Sequence, residues 1–259
     1  MNPRSYPPKP RNVYLYATCL VDMFHPEAGL DTVSLLEREG IRVHFPEDQT
    51  CCGQPAYTSG YPEEARAVAR RQLDLFPEAW PVVIPSGSCA GMLRHHYPRL
   101  FAGDAALEVR AQELAERVFE LSEFLLHVAK VSLKDQGQPE SVAVHTSCSA
   151  RREMGVQVTT ADLLAQLCNV KLEVHGHESE CCGFGGTFSL KHPDISSAMA
   201  ADKLEALQAT GAAGFVSADC GCLLNLNHTL AARQEQRFGG EHLATFLCRR
   251  TGLPTGGAA

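Results

Sequence analysis

The chain has 259 residues, of which 44 % are hydrophobic and 20 % are charged. This mixture is typical of a globular protein with a sizeable core, so it excludes a disordered or collagen-like chain. Lysine and arginine total 23 against 30 aspartates and glutamates, which gives a net charge of −7 and offers no basic stripe for nucleic-acid binding.

Short apolar runs alternate with helical patterns in the first half of the chain. The predicted strands span residues 13–17, 41–45 and 82–84. The predicted helices span residues 27–39, 63–76 and 110–130. Gly40 and Pro77 close the first two of these helices. We expect residues 1–131 to form one domain.

The second half repeats this alternation. Its predicted strands span residues 142–145, 170–174 and 214–216. Its predicted helices span residues 159–168, 195–209 and 241–250. We expect a second domain over residues 141–250. Residues 132–140 are predicted to be a linker because they contain Gly137 and Pro139, and residues 251–259 are predicted to be a frayed tail.

Each half therefore has the order strand, helix, strand, helix, strand. This order predicts an α/β fold made of two similar Rossmann-like βαβαβ halves, each with a parallel sheet and right-handed crossovers. In such sheets ligands bind beyond the carboxyl ends of the strands. A functional site is expected at that edge in each half.

Cysteines follow the carboxyl ends of the predicted strands, and their positions repeat between the two halves. Eleven cysteines are too few for a disulfide-dense scaffold, and this excess indicates metal binding in an intracellular chain. The repeat pairs Cys19 with Cys148, Cys51-Cys52-Gly53 with Cys181-Cys182-Gly183, and Cys89 with Cys220 or Cys222. The paired positions lie about 130 residues apart, which indicates an internal duplication.

Four cysteines per half match the number of thiolates that commonly hold an iron–sulfur cluster. Adjacent cysteines such as Cys51 and Cys52 are poor disulfide partners, because neighbouring Cα atoms are only about 3.8 Å apart. Gly53 and Gly183 lack a Cβ, so the backbone can approach a cluster closely and direct N–H groups at it. We therefore expect these two glycines to contact the cofactor.

Several alternatives stay open at this point. Zinc also binds thiolate sets, and His175 and His177 before Cys181 are candidate zinc ligands. The repeated cysteines could also be small buried hydrophobic residues that bind no metal. This is our prediction for Cys168 and Cys248, which have no counterpart in the repeat. His145 is predicted to be a core histidine with satisfied hydrogen bonds.

The cysteine segments resemble a known family. The segments 51–56 (CCGQPA), 181–189 (CCGFGGTFS) and 222–225 (CLLN) are similar to those of the lactate utilization protein A family. This family is related to the cysteine-rich subunits of heterodisulfide reductase and to the iron–sulfur subunit of glycolate oxidase. The resemblance covers nearly the whole chain and favours Cys222 over Cys220. The sequence departs from the heterodisulfide reductase pattern at Ser86 and Asp219, where a further cysteine is expected, so five-cysteine clusters are not carried over.

The resemblance implies two ligand sets of four thiolates. The sets are Cys19, Cys51, Cys52 and Cys89 in the first half, and Cys148, Cys181, Cys182 and Cys222 in the second. It implies one or two 4Fe–4S clusters and a role as an electron-transfer subunit in the oxidation of L-lactate to pyruvate. Companion lactate-utilization proteins, including another iron–sulfur protein, are implied as partners. The alternatives are another substrate (glycolate, glycerol 3-phosphate or a disulfide) or a non-catalytic zinc-binding scaffold.

The location of the protein also follows from the sequence. The first twelve residues lack the apolar core of a signal peptide. Moreover, no apolar run approaches the roughly 18 residues that a membrane span needs. We expect a cytoplasmic protein with no membrane span.

Overall fold

The structure is a computed structural model, and it describes residues 4–256. Within these residues the chain forms two four-stranded sheets, one in each half. The strands of the first sheet are β1 (Asn12–Leu15), β2 (Arg42–His44), β3 (Val82–Ile84) and β4 (Val118–Glu120). The strands of the second sheet are β5 (Glu140–Val144), β6 (Val170–Glu173), β7 (Gly214–Ser217) and β8 (Gly240–His242).

Both sheets are parallel and have the same strand order. The first has the order β2-β1-β3-β4 and the second has the order β6-β5-β7-β8. Val13 of β1 pairs with Val43, and Val142 at the equivalent place in β5 pairs with Leu172. The predicted α/β fold of two similar halves is therefore confirmed, and all six predicted strands are found.

Helices cross between the strands, and two π-helical turns interrupt them. Those of the first half are α1 (Cys19–Phe24), α2 (Pro26–Arg38), α3 (Gln54–Thr58), α4 (Pro62–Gln72), α5 (Gly87–Gly91), a π-helix (Met92–His96), α6 (Tyr97–Leu100), α7 (Ala105–Arg117), α8 (Leu121–Glu123) and a second π-helix (Phe124–Ala129). Those of the second half are α9 (Cys148–Met154), α10 (Val156–Leu164), α11 (Phe188–Lys191), α12 (Pro193–Gln208), α13 (Cys220–Ala232) and α14 (Leu243–Arg250).

The single helix predicted over residues 110–130 is wrong. Strand β4 breaks it, because Val118 and Phe119 extend and pair with β3 in the buried edge of the sheet. The Glu120 carboxylate then caps the next helix by accepting the backbone N–H groups of Ser122 at 2.7 Å and Glu123 at 3.2 Å. In the second half β8 takes the corresponding place, so each half has one strand more than predicted.

The two halves pack on a shared apolar core. Side chains of β1, α2 and the second π-helix meet side chains of β5, α10 and α14 there. The two halves also exchange helix contacts: α5 packs against α9, and α1 packs against α13. These are the helices that follow the first and third strands of each half. The carboxyl edges of the two sheets are thereby brought face to face.

The linker and the tail are both attached to this body. Asp135, in the predicted linker, pairs with the buried Arg250 guanidinium at 2.7 Å. The structure differs from the predicted frayed tail as far as Gly256. The Gly256 N–H donates to Asp31 Oδ1 at 2.7 Å, and Leu253 packs against the shared core. Residues 257–259 lie outside the described part of the chain. No helix within residues 4–256 has both the length and the apolar character needed to cross a bilayer.

Candidate metal centre

The predicted cysteines lie at the carboxyl ends of the central strands. Cys19 begins α1 just after β1, and Cys148 begins α9 just after β5. Cys89 lies in α5 after β3, and Cys222 lies in α13 after β7. The two Cys-Cys pairs occupy the loops that follow β2 and β6. This is the edge of the sheets at which the strand order places a ligand.

The four cysteines of the first half form a chain of sulfur contacts. The Cys52 and Cys89 sulfurs are 3.4 Å apart. Hydrogen bonds from the thiols of Cys19 and Cys52 lower the pKa of Cys51, because they stabilise its thiolate. The pKa of Cys19 is raised in turn, because its thiol donates to Cys51 and is partly buried. Cys51 is therefore prepared to act as a thiolate.

The second half has a similar series of sulfur contacts but a different effect on the paired cysteine. The hydrogen bond from Cys148 lowers the pKa of Cys181, whereas the hydrogen bond of Cys181 to Cys182 and its burial raise it, and the net shift is upward. Cys148 contacts Cys181, and this hydrogen bond together with burial raises the pKa of Cys148. Cys181 contacts Cys182, and Cys182 contacts Cys222. Each predicted set of four thus converges in its own half.

The glycines after the paired cysteines have a specific conformation. Gly53 and Gly183 have φ values of +83° and +88°, and each donates its N–H to the sulfur two residues earlier at 3.4 Å. A Cβ at Gly183 would lie 2.5 Å from the Ser196 carbonyl oxygen, and a Cβ at Gly53 would lie 3.2 Å from the Ala65 carbonyl oxygen. Both positions therefore favour glycine, because of the positive φ and because of the nearby carbonyl oxygens.

All eight cysteines line one cavity of about 510 Å³ between the halves. The cavity wall is mainly apolar, with Pro55, Phe184 and Leu190 among its lining residues. Sequence reasoning predicts a site at each sheet edge but not a shared cavity, because the packing of the two halves depends on contacts distant in sequence. Both cysteine sets therefore face the same cavity.

The two residues that replace cysteine in the related pattern meet at the junction of the halves. Asp219 is buried and accepts hydrogen bonds from the Ser86 hydroxyl at 3.2 Å and from the Ser88 backbone N–H at 3.2 Å. Burial raises the pKa of the Asp219 carboxyl. These polar groups tie one half to the other, and their hydrogen bonds direct the carboxylate at serines rather than at the sulfurs.

Cys222 and Cys220 face different surroundings. The Cys222 sulfur lies within 4.8 Å of the Cys182 sulfur. Cys220 packs instead among Ala17, Val21 and Ala28 of the first half. The geometry therefore agrees with the choice of Cys222 as the fourth member of the second set.

Cys168, Cys248 and His145 lie outside the two predicted cysteine sets. Cys168 is exposed, so its predicted place in the core is wrong: α10 ends at Leu164, and Cys168 lies in the turn beyond it. Cys248 is buried as predicted. His145 is buried as predicted, but its ring nitrogens have no hydrogen-bond partner among the described residues.

The other histidines do not join the sulfurs. In the part of the chain that the structure describes, the three-residue group with metal-binding spacing is His145, Cys182 and Cys222. His177 is exposed and bonds Glu180 at 2.8 Å. The predicted zinc ligands His175 and His177 are therefore not brought into this group.

Comparisons with known proteins agree with the duplicated architecture. The family model of the CCG cysteine-rich domain matches residues 13–94 and again residues 142–227. A solved structure of a hypothetical protein from Helicobacter pylori superposes with a TM-score of 0.69 at 10 % identity, covering 99 % of this chain. The present chain spans about half of that protein, 52 % of its length, and the likeness shows the fold alone.

Curated relatives match over almost their whole length. Lactate utilization protein A of Shouchella clausii is 43 % identical over 236 residues, which cover 91 % of this chain and 98 % of that protein. The protein of the same name from Bacillus subtilis is 41 % identical over 238 residues, which cover 92 % and 99 %. With this identity and two copies of the cysteine-rich domain, the chain belongs to the lactate utilization protein A family.

Proposed function

We propose that this chain is an iron–sulfur electron-transfer subunit of a multi-protein system that oxidises L-lactate to pyruvate. Its clusters are held by Cys19, Cys51, Cys52 and Cys89 in the first half and by Cys148, Cys181, Cys182 and Cys222 in the second. One or two 4Fe–4S clusters are bound per chain. The cytoplasm, which keeps thiols reduced, is the compartment that this ligand chemistry implies.

The observation that carries the proposal is the convergence of two four-thiol sets on one cavity. The Cys52 and Cys89 sulfurs are 3.4 Å apart, the Cys182 and Cys222 sulfurs lie within 4.8 Å of each other, and all eight cysteines line the cavity. Four thiolates are the usual protein ligands of a 4Fe–4S cluster, and no fifth thiolate is needed. The donor set therefore fits this cofactor. When bound, a cluster of this kind supplies one-electron storage and transfer.

The residues around the sulfurs have their own roles. The N–H groups of Gly53 and Gly183 point at sulfur atoms, and such hydrogen bonds stabilise a more negative site. The mainly apolar wall of the cavity limits the access of water to the sulfurs. Asp219 fixes the distance between the halves by bonding Ser86 and Ser88.

Lactate enters the proposal through the relatives, which are named for lactate utilization. The oxidation of L-lactate to pyruvate releases two electrons and two protons. This chain transfers the electrons singly, and companion lactate-utilization proteins, including another iron–sulfur protein, bind the substrate and the electron acceptor. The letter in the relatives' name is consistent with a set of companions.

Metal content of cysteine variants tests the cofactor. Cys51→Ser and Cys182→Ser are expected to lose iron and acid-labile sulfide after anaerobic purification, because a serine oxygen replaces thiolate poorly at iron. Cys168→Ala and Cys248→Ala are matched controls that should keep both. A colourless protein that contains zinc and no sulfide would favour the zinc scaffold and contradict the proposal.

Reconstitution tests the proposed substrate. The purified chain alone should oxidise lactate hardly at all, and turnover should appear when the companion proteins are added. Glycolate and glycerol 3-phosphate serve as comparison substrates in the same mixture. Rapid lactate oxidation by the single chain with an artificial acceptor would overturn the subunit role, and preference for another substrate would overturn the assignment to lactate.

A further inference from the structure

A buried histidine without hydrogen bonds lies beside the second cysteine set. His145 follows the last residue of β5, and its backbone N–H bonds the Val216 carbonyl oxygen at 2.9 Å. Its side chain is 1 % exposed, and neither ring nitrogen has a partner among residues 4–256. Leaving a buried polar group unpaired costs free energy, so a ring in this position calls for a partner.

The ring nitrogen and two cysteine sulfurs form a compact group. One nitrogen of His145 and the sulfurs of Cys182 and Cys222 all lie within 4.8 Å of one another. Imidazole nitrogen binds iron in proteins and replaces cysteine in some iron–sulfur centres. It also binds zinc. The combination of two thiolates and one imidazole on one side of the site is therefore a metal-ligand set.

Two other polar groups near the second set are already engaged. The Asp219 carboxylate is held by Ser86 and Ser88. The buried ammonium of Lys203 donates to the His177 carbonyl oxygen and has no lone pair for a metal. His175 is also buried without a hydrogen-bond partner, but it lies outside the group within 4.8 Å of the two sulfurs, so among the described residues His145 is the unpaired buried donor of this group.

We propose that His145 is a protein ligand of the second site and takes the place of one of its four cysteines, so that this site has a nitrogen donor. The inference rests on the proposed function in taking the second set as an iron–sulfur site. It deepens that function by making the two sites chemically different.

The first half has no counterpart to this ligand in the described structure. Tyr16 lies three residues before Cys19, as His145 lies three residues before Cys148. The Tyr16 hydroxyl donates to the Thr50 carbonyl oxygen at 2.7 Å, so it is already paired. The first site is therefore held by thiolates alone. Replacing an anionic thiolate by a neutral nitrogen ligand raises the reduction potential of a cluster. The second site should therefore be reduced before the first.

Pulsed EPR on histidine-labelled protein tests this ligand directly. The chain is purified anaerobically with natural-abundance and with ¹⁵N-labelled histidine, reduced, and measured for nitrogen hyperfine coupling. A strong coupling that changes with the label is expected. It should vanish in His145→Ala and persist in Tyr16→Phe, the matched change at the equivalent position of the first half.

The outcomes separate the two proposals. Clusters that show only the weak coupling of a hydrogen-bonded nitrogen, or a coupling that survives His145→Ala, would overturn the ligand role while leaving the iron–sulfur function intact. Zinc in place of iron would overturn the iron–sulfur function, and X-ray absorption at the zinc edge would then report whether a nitrogen is bound. A second site without any metal would overturn both. The labelled wild-type protein gives a result even if a variant does not fold.

Discussion

Alanine substitutions at three glycines test how the paired-cysteine loops are built. Gly53, Gly60 and Gly183 have nearly equal φ values of +83°, +84° and +88°. They differ in the space beside the Cα atom: an added Cβ meets the Ser196 carbonyl oxygen at 2.5 Å at Gly183, meets the Ala65 carbonyl oxygen at 3.2 Å at Gly53, and meets nothing within 4 Å at Gly60.

The free energy of unfolding should fall in a defined order. A left-handed conformation costs an alanine about 1–2 kcal/mol, and the smaller entropy of the unfolded chain offsets about 0.4–1 kcal/mol of this. Gly60→Ala should therefore lose about 1 kcal/mol. Gly183→Ala adds a clash with backbone, worth about 1–3 kcal/mol more, and should lose about 2–4 kcal/mol in all. Gly53→Ala should lie between these two.

Urea unfolding of the reduced, metal-free protein, followed by circular dichroism, measures these differences. Gly60→Ala is the control because it has the same backbone strain in open space. Equal losses for Gly183→Ala and Gly60→Ala would refute the claim that the loop packs tightly against α12. Iron content of the same variants then shows whether the backbone conformation at Gly183 is needed for the metal site.

Two further predictions concern the contacts between the halves. Burial lowers the pKa of His242 to about 4 from an ordinary value of 6.5, and its Nε2 lies 3.0 Å from the Pro85 carbonyl oxygen of the first half. Because the pKa is lower in the folded protein, the contribution of neutral His242 to the free energy of unfolding is complete above about pH 6.5 and is lost as the pH falls towards 4. The free energy of unfolding should therefore fall by about 2 kcal/mol between pH 7 and 5. This fall should be smaller in His242→Gln and unchanged in His228→Gln, where the histidine is exposed. Urea midpoints at both pH values measure this, and an identical pH dependence in His242→Gln would contradict it. Asp219→Ala should lower the free energy of unfolding by about 2–4 kcal/mol because buried donors lose their acceptor, whereas the exposed Asp48→Ala should change it by less than about 0.5 kcal/mol; equal urea midpoints for the two variants would contradict the bridging role.

Local patterns in the sequence were sufficient for the strands and for the edge at which the cysteines lie. Apolar runs end just before Cys19 and Cys148, and parallel crossover topology then places all such ends at one side. These features depend on neighbours in the chain.

Features that depend on distant contacts could not be read from the sequence. The helix predicted over residues 110–130 is interrupted at Val118 because this segment pairs with β3. The apolar spacing from Leu121 onward looks helical and hides the interruption in the sequence. The shared cavity depends on the packing of α5 against α9 and of α1 against α13. The bonds between Asp219 and Ser86 join residues 133 positions apart. The sequence was sufficient to place His145 in the core. That its ring nitrogens have no hydrogen-bond partner is visible only from the residues that surround it in the fold.

Iron and acid-labile sulfide per chain test the central claim most directly. They should be measured in anaerobically purified protein and in Cys52→Ser and Cys182→Ser, each of which disrupts one set. If both sets hold a 4Fe–4S cluster, the wild type should contain about eight irons and eight sulfides, and each variant should retain about half of both. If one set is filled, the wild type should contain about four of each and only one variant should lose them. Zinc without sulfide, or iron that neither substitution reduces, would contradict the account.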